Sequence, residues 1–283
     1  MKKTDYVSLY KSKKSYKVNE NDIPTENDSL VIGCIDIPIT TKCTLKCKNC
    51  SSLMPYYKET TIFDIDYLIN SINALFSVVD KIIRVNVLGG EPFIHPKLDL
   101  IIKSLNKDRV KKVYIITNGT IVPTKKELLD ALKQENVEVR VSNYLSISSK
   151  IEKIKTVFEQ NKIKYTIKQF GENDFNWFNF GDFKNRNRTK EELDSQFVSC
   201  DVEWGSYLKG KLYPCPRSAH ADDLSLIPHN ENNYIDILEL SNDKEMLRKI
   251  LEEFITRKDS YPCCNYCNRG TNLCEKVKVA EQE

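Results

Sequence analysis

The chain has 283 residues, enough for one large domain or for a large domain with a small second one. Hydrophobic residues make up 40% and charged residues 29%, as in an ordinary globular protein and unlike a disordered chain. The net charge of +3 is far from the large basic excess of a dedicated nucleic-acid binder. The basic N-terminal residues lack the apolar run of a secretion signal, and no later segment has the length of a membrane span. We therefore expect a cytoplasmic protein that binds neither nucleic acid nor membranes.

Ten cysteines are many for a cytoplasmic chain of this size. A reducing compartment disfavours disulfides, and a chain this long can build its own core, so the pattern favours metal ligation or catalysis. Three cysteines lie within 43–50, two stand at 200 and 215, and four lie within 263–274. Cys34 alone is isolated, and we expect it to be a small, buried, hydrophobic side chain on the first strand.

Short β-branched segments alternate with amphipathic segments from residue 31 onward. The predicted strands are 31–40, 83–88, 113–116, 137–141 and 165–170. The predicted helices are one that begins after the N-cap Asp64 and three others at 98–105, 126–134 and 151–158. Repeated strand–helix units indicate an α/β fold with a parallel sheet. With a sixth strand between 175 and 183, we predict a partial (β/α)6 barrel, because a complete barrel needs about 250 residues.

The pattern changes after a polar stretch at 184–195. The segments 204–208 and 212–215 flank Lys209-Gly210 and predict a β-hairpin, and a helix at about 244–255 leads to the last cysteines. The predicted organisation is therefore a small C-terminal domain after a barrel core and an N-terminal extension. The predicted bounds are 1–30 for the extension, 31–190 for the core and 195–283 for the small domain.

The first cysteine group has the spacing C-x3-C-x2-C, from Cys43 through Cys47 to Cys50. Three thiolates on one short loop suit one face of a cubane iron–sulfur cluster and leave the fourth iron without a protein ligand. A zinc site is the alternative, although structural zinc requires four closed ligands and no fourth is near in sequence.

The segment Gly89-Gly90-Glu91-Pro92 follows the second strand, just as the cysteine loop follows the first. Loops at the carboxyl ends of parallel strands form the active face of such folds, so both motifs belong to one site. With this pair the sequence resembles the radical S-adenosylmethionine (SAM) superfamily. The resemblance implies a [4Fe–4S] cluster on the three cysteines, whose open iron binds the amino and carboxylate groups of SAM. It also implies that this segment contacts the SAM amino group through backbone oxygen and Glu91.

Further cofactor contacts follow from the same resemblance. Asn118 and Ser142, at the ends of the third and fourth strands, stand where relatives place SAM contacts, with ordinary turn chemistry as the alternative. Asn49 stands where relatives carry an aromatic residue near the adenine. The backbone contact there is retained in this prediction, and Tyr56 or Tyr57 supplies the stacking.

The remaining cysteines form a second pattern. Cys200 and Cys215 bracket the predicted hairpin with the spacing C-x9-G-x4-C, and Cys264 and Cys267 add a C-x2-C pair. This resembles the SPASM and twitch extensions of radical SAM proteins, and the short form implies one auxiliary cluster, [4Fe–4S] in preference to [2Fe–2S]. A four-cysteine zinc site is the competing interpretation. Cys263, next to Cys264, is the alternative ligand at that position. The last cysteine, Cys274, has the wrong spacing for the longer SPASM series.

The resemblance implies an oxidoreductase in which SAM yields a 5′-deoxyadenosyl radical that abstracts a substrate hydrogen, and the auxiliary cluster takes up an electron. It also implies an electron donor such as flavodoxin or ferredoxin. Thirty residues before the first strand are too few for a leader-recognition domain, which favours a small polar substrate, a sugar- or cyclitol-like alcohol, over a peptide or protein. The candidate substrate contacts are Trp177, Asp182, Arg217 and His220. A non-catalytic zinc or iron–sulfur binding module is the alternative outside enzyme chemistry.

Overall fold

A computed structural model of the chain describes residues 30–283, apart from 106–107 and 203. The predicted N-terminal extension thus lies outside the described residues, except for Leu30. None of the helices in the described part of the chain combines the length and the apolar character that crossing a membrane requires.

Five strands alternate with four helices over residues 31–169, which confirms the predicted α/β pattern. The strands are β1 (Val31–Pro38), β2 (Lys81–Leu88), β3 (Val110–Thr117), β4 (Val137–Asn143) and β5 (Tyr165–Gln169). The helices are α1 (Ile65–Phe76), α2 (Leu98–Ser104), α3 (Lys126–Leu132) and α4 (Ile151–Gln160). Each strand pairs in parallel with the next one along the chain. Asp64 caps α1 as predicted, since its side chain accepts a hydrogen bond from the Tyr67 N–H at 2.9 Å.

Alternation along the strands gives the sheet two different faces. On β2 and β3, Val85, Val87, Val113 and Ile115 are completely buried and belong to the same apolar cluster as the buried residues of α1–α4. The intervening positions are largely polar, and Asn86 is an example on β2. The main core therefore lies on the face of the sheet that the four helices cover.

The predicted sixth strand of the parallel sheet is wrong. Residues 175–183 contain a two-residue strand, β6 (Trp177–Phe178), but it pairs antiparallel with β10 (Lys276–Val277) in a separate small sheet. Asparagine, aspartate and glycine, which disfavour strands, interrupt the aromatic residues of this segment. The segment is therefore largely an irregular loop and does not extend the parallel sheet.

The predicted hairpin forms, with strands β7 (Gly205–Leu208) and β8 (Lys211–Tyr213). Its β7 strand pairs in parallel with β1, and β8 pairs with β9 (Ile235–Asp236). The sheet order is β5-β4-β3-β2-β1-β7-β8-β9, so the hairpin continues the main sheet on its other side. Residues of the C-terminal part, including Leu212 and Leu251, also belong to the main apolar cluster.

The C-terminal part contains four more helices among the described residues. They are α5 (Lys190–Ser199), α6 (Pro216–Asp223), α7 (Ile237–Leu240) and α8 (Lys244–Thr256). Helix α8 confirms the prediction at 244–255. Residues 184–195 were predicted to be a polar separator between the two parts of the chain. Helix α5 begins within this stretch, because Thr189 and Glu192 form a reciprocal capping box that starts a helix there.

Candidate functional site

The first three cysteines of the site, Cys43, Cys47 and Cys50, lie in the loop that follows β1. The Leu45 N–H donates to the Cys43 sulfur at 3.4 Å, and the Leu53 N–H donates to the Cys50 carbonyl at 3.0 Å. Burial raises the pKa of Cys43 to about 12 and that of Cys47 to about 11. These thiols are therefore protonated without a bound cation, and metal binding has to displace their protons.

Gly89 and Gly90 bring the end of β2 against the cysteine loop. The Gly90 N–H donates to the Thr40 carbonyl, and the Glu91 N–H donates to the Lys42 carbonyl, both at 2.9 Å. A Cβ on Gly90 would lie 2.0 Å from the Lys42 oxygen, so no other residue fits without moving the loop. The glycines thus serve the close packing of the two motifs as well as access to the cavity that both line.

The Glu91 carboxylate faces into the protein. It is fully buried and accepts hydrogen bonds from the Thr117 hydroxyl and from the N–H groups of Phe93 and Asn118. Burial raises the pKa of Glu91 to about 7. This carboxylate therefore links the ends of β2 and β3, and a direct contact with SAM stays a prediction. Pro92 is also buried, at the start of a short 3-10 turn.

The other predicted cofactor contacts have different surroundings. Asn118 lines the cavity, and its side chain donates to the Thr44 hydroxyl at 3.0 Å and lies 3.7 Å from the Cys43 sulfur. Ser142 is half-buried, and its carbonyl accepts a hydrogen bond from the Ser148 hydroxyl. Asn49 lines the cavity in the left-handed conformation, with φ of 56°, which asparagine adopts more readily than most residues.

The aromatic residue expected to compensate for Asn49 is not found where it was predicted. Tyr56 is 51% exposed and packs edge-on against Phe183, and Tyr57 bonds to Asp223, so both point elsewhere. Tyr144, at the end of β4, lines the cavity instead. Its ring stacks on Phe170, with the ring centroids 5.1 Å apart. Sequence reasoning missed Tyr144, although its place directly after a strand end was a usable signal.

The second cysteine set is assembled from three places in the chain. Cys200 ends α5, Cys215 is the N-cap of α6, and Cys264 and Cys267 lie on or after a 3-10 turn. The Ser218 N–H donates to the Cys215 sulfur at 3.4 Å. The same cavity is lined by all four of the predicted ligands, Cys200, Cys215, Cys264 and Cys267.

Two polar side chains hold the C-x2-C turn. The buried Gln196 amide donates to the carbonyls of Cys264 and Cys267 at 3.1 and 2.9 Å, and the Arg188 guanidinium donates to the Cys267 carbonyl at 2.8 Å. Sequence reasoning missed both residues. The capping-box pattern beside them predicts a helix, but nothing in the sequence says that this helix packs against the last cysteines.

The adjacent thiols of Cys263 and Cys264 differ in the direction in which their pKa values are shifted. The Cys263 thiol is buried and hydrogen-bonded to Cys264, which raises the pKa of Cys263 and lowers that of Cys264. Cys264 is therefore the better thiolate. Cys274 does not line the cavity, and its sulfur lies 3.8 Å from the Arg269 guanidinium. Cys34 is buried as predicted, but its sulfur accepts a hydrogen bond from Arg84 at 2.9 Å, so its surroundings are polar.

Both cysteine sets line one cavity of about 480 Å³. Among the candidate substrate contacts, Trp177 and Arg217 line it as well. Arg217 donates to the Gly181 carbonyl at 2.6 Å, so it also holds the irregular loop. Asp182 is exposed and pairs with Arg186, and His220 is fully buried against Tyr57. Neither Asp182 nor His220 lines the cavity.

Within the described ranges, no three histidine, cysteine, aspartate or glutamate side chains are arranged to hold a metal ion. The thiols of each set line the wall of the cavity. Thiol ligands supported by N–H donors suit an iron–sulfur cluster.

Residues 37–176 match the Radical SAM superfamily. The match includes the first cysteine loop, the Gly89–Pro92 segment and the ends of β3 and β4, which together form one side of the site. This part of the chain is therefore a radical SAM domain. Among the curated proteins, none matches the chain.

Solved structures resemble the chain at low sequence identity. The crystal structure of BtrN in complex with AdoMet and 2-DOIA is 20% identical, with a TM-score of 0.49, and covers 88% of this chain and 95% of that one. The structure of anSMEcpe with bound AdoMet and Cp18Cys peptide is 13% identical, with a TM-score of 0.46 and coverages of 86% and 91%. Streptococcus suis SuiB is 14% identical, with a TM-score of 0.41 and coverages of 76% and 67%.

Proposed function

We propose that this protein is a radical SAM oxidoreductase with two iron–sulfur clusters that oxidises a small polar substrate, a sugar- or cyclitol-like alcohol. One observation carries the proposal. Both cysteine sets line the same cavity, together with Gly89, Gly90 and a group of aromatic side chains. A substrate in that cavity would lie within reach of both sets.

The first cluster is assigned to Cys43, Cys47 and Cys50. The backbone N–H donor at the Cys43 sulfur stabilises a thiolate there, and the three-thiol set leaves one corner for SAM. When bound, the clusters and SAM supply the radical that removes a substrate hydrogen and the acceptor for a second electron. The protein itself orients the substrate and excludes water.

The auxiliary cluster is assigned to Cys200, Cys215, Cys264 and Cys267. Four thiols complete the ligation of a cluster, so this site is suited to electron transfer and to stabilising the fold, not to binding substrate. The carbonyl contacts of Gln196 stabilise the position of two of the ligands.

The cavity wall supports a substrate with both apolar and polar surfaces. Trp177, Phe178 and Tyr144 present aromatic rings, on which the C–H faces of a sugar or cyclitol ring can pack. Asn118 and Asn176 line the same cavity and offer amide groups for hydroxyls. A mostly apolar wall with a few polar groups is the usual composition of a small-molecule site.

The assay for this function is SAM cleavage by anaerobically reconstituted protein under dithionite. We expect 5′-deoxyadenosine from the wild type and none when Cys43, Cys47 and Cys50 are all changed to alanine. Undiminished 5′-deoxyadenosine in the triple variant would refute the assignment. Stimulation of cleavage by peptides, with none by a panel of aminocyclitols and sugar alcohols, would make the substrate a peptide.

Metal analysis separates the auxiliary cluster from a zinc site. We expect about eight iron atoms per chain if both clusters contain four irons, or about six if the second contains two. The triple variant keeps the second cluster and therefore about four or two iron atoms. A variant with both Cys264 and Cys267 changed to alanine is expected to cleave SAM without completing substrate oxidation. Zinc in place of iron in the triple variant would make the second set a structural zinc site.

A further inference from the structure

The last residues of the chain pack along the first cysteine loop. The Lys48 N–H donates to the Glu281 carbonyl at 2.7 Å, and the Glu283 N–H donates to the Lys46 carbonyl at 2.9 Å. These two hydrogen bonds form an antiparallel pairing around one loop cysteine. We call residues 279–283 the clamp segment.

The residue opposite that cysteine is Gln282. Its side-chain nitrogen donates to the Cys47 sulfur at 3.1 Å and to the Ala280 carbonyl at 2.7 Å, and its oxygen accepts from the Lys46 N–H at 2.9 Å. A flipped amide would place its nitrogen against the N–H of Lys46 and its oxygen against the carbonyl of Ala280. The network therefore requires that the group facing the sulfur is a donor.

The clamp segment also excludes water from this side of the loop. Val279 and Ala280 are 8% and 0% exposed, and they form a small apolar cluster with Cys47 and Phe170. Tyr144 and Trp177, which line the cavity, pack against the same cluster. A hydrogen bond to sulfur in such a setting is strengthened by the low local dielectric.

We infer that Gln282 is a positioning residue for Cys47, and that its hydrogen bond to the sulfur raises the reduction potential of the first cluster. The inference rests on the proposed ligation by Cys43, Cys47 and Cys50. A reduced cluster carries more negative charge on its ligands than an oxidised one, and a donor at the sulfur stabilises that charge. Hydrogen bonds to the sulfurs are one of the factors that determine iron–sulfur potentials.

Two variants test the donor. Gln282→Glu keeps the shape and the oxygen acceptor for Lys46, but it replaces the donor with a carboxylate. Gln282→Met removes the donor without adding charge. An EPR-monitored redox titration is expected to show reduction of the first cluster becoming about tenfold less favourable in Gln282→Met, which is about 59 mV for one electron. The shift in Gln282→Glu is expected to be larger and of the same sign.

The matched control is Glu281→Gln, which removes the exposed ion pair with Lys48 but keeps the sulfur contact. Its potential is expected to equal that of the wild type, and the auxiliary cluster is an internal reference in every sample. The first cluster is identified by a signal that changes when SAM is added. If the wild type gives that signal and both Gln282 variants keep its potential, the inference is wrong. If the wild type gives no SAM-responsive signal, the proposed function fails, and the inference with it.

Discussion

The backbone of Gly90 lies so close to Lys42 that a Cβ atom on the glycine would be 2.0 Å from the lysine carbonyl oxygen. That contact joins the two motifs from which the radical SAM site is recognised. A side chain at Gly90 must displace the loop that contains Cys43, because the added Cβ would lie only 2.8 Å from the Cβ of Cys43.

Gly90→Ala is therefore expected to lower the free energy of unfolding by about 1–3 kcal/mol, because overpacking at a close contact costs that much. It is also expected to reduce the iron content at the first site. Urea denaturation and iron analysis measure the two effects. Gly171→Ala is the matched control, since a Cβ there meets no atom within 4 Å. Equal stability and iron content in the two variants would contradict the packing argument.

Replacing Glu91 with alanine tests the link between β2 and β3. The variant leaves the Thr117 hydroxyl and the N–H groups of Phe93 and Asn118 without their acceptor. We expect a loss of about 3 kcal/mol in stability, since each unpaired buried donor costs about 1–3 kcal/mol. SAM affinity, measured by calorimetry, should fall about tenfold or more. Glu127→Ala, at an exposed position on α3, is the control, and equal effects from the two variants would refute the prediction.

A pH dependence follows from His220. The Tyr57 hydroxyl donates to Asp223 at 2.9 Å, so the Nδ1–H of His220 donates to the Tyr57 oxygen at 2.8 Å. Burial lowers the pKa of His220 to about 4, below its usual 6.5. The folded state thus disfavours the charged ring, and stability that is present above pH 6.5 is lost as the pH falls toward 4.

The contribution of His220 to the free energy of unfolding should be about 2 kcal/mol smaller at pH 5 than at pH 7. Urea denaturation at both pH values should show that His220→Gln loses less stability than the wild type on acidification. His229→Gln changes an exposed histidine and should follow the wild type. A His220→Gln variant that is as acid-sensitive as the wild type would show that this ring does not cause the effect.

Two adjacent thiols offer a further test. The hydrogen bond from Cys263 lowers the pKa of Cys264, which makes Cys264 the expected ligand. Cys264→Ser should lose the iron of the auxiliary cluster, whereas Cys263→Ser and Cys274→Ser should retain it. Iron analysis in a background without the first cluster measures this directly. Retention of the auxiliary iron in Cys264→Ser together with its loss in Cys263→Ser would exchange the roles of the two residues.

Local patterns predicted most of the regular structure. The periodicity of β1–β5 and α1–α4 and the cap at Asp64 are properties of short segments, so they could be read from the sequence. The first cysteine motif and the Gly89–Pro92 segment could also be assigned to one site, because loops after parallel strands meet at one edge of a sheet. The capping box at Thr189 is also a local sequence pattern, and it predicts the start of α5.

Pairings between distant segments could not be read in that way. Strand β7 lies next to β1, and β6 leaves the main sheet to pair with residues almost one hundred positions later. Such choices depend on which surfaces bury each other once the chain has collapsed, and the composition of one segment does not contain that information.

The sequence alone therefore determined the alternating α/β pattern, the radical SAM motif and the grouping of the cysteines, since each is encoded in spacing along the chain. Only the tertiary structure decided that both cysteine sets line one cavity, that the Glu91 carboxylate faces inward and that Gln282 reaches Cys47 across 235 positions. A hydrogen bond of about 3 Å is a matter of distance in space, and the folded packing sets that distance.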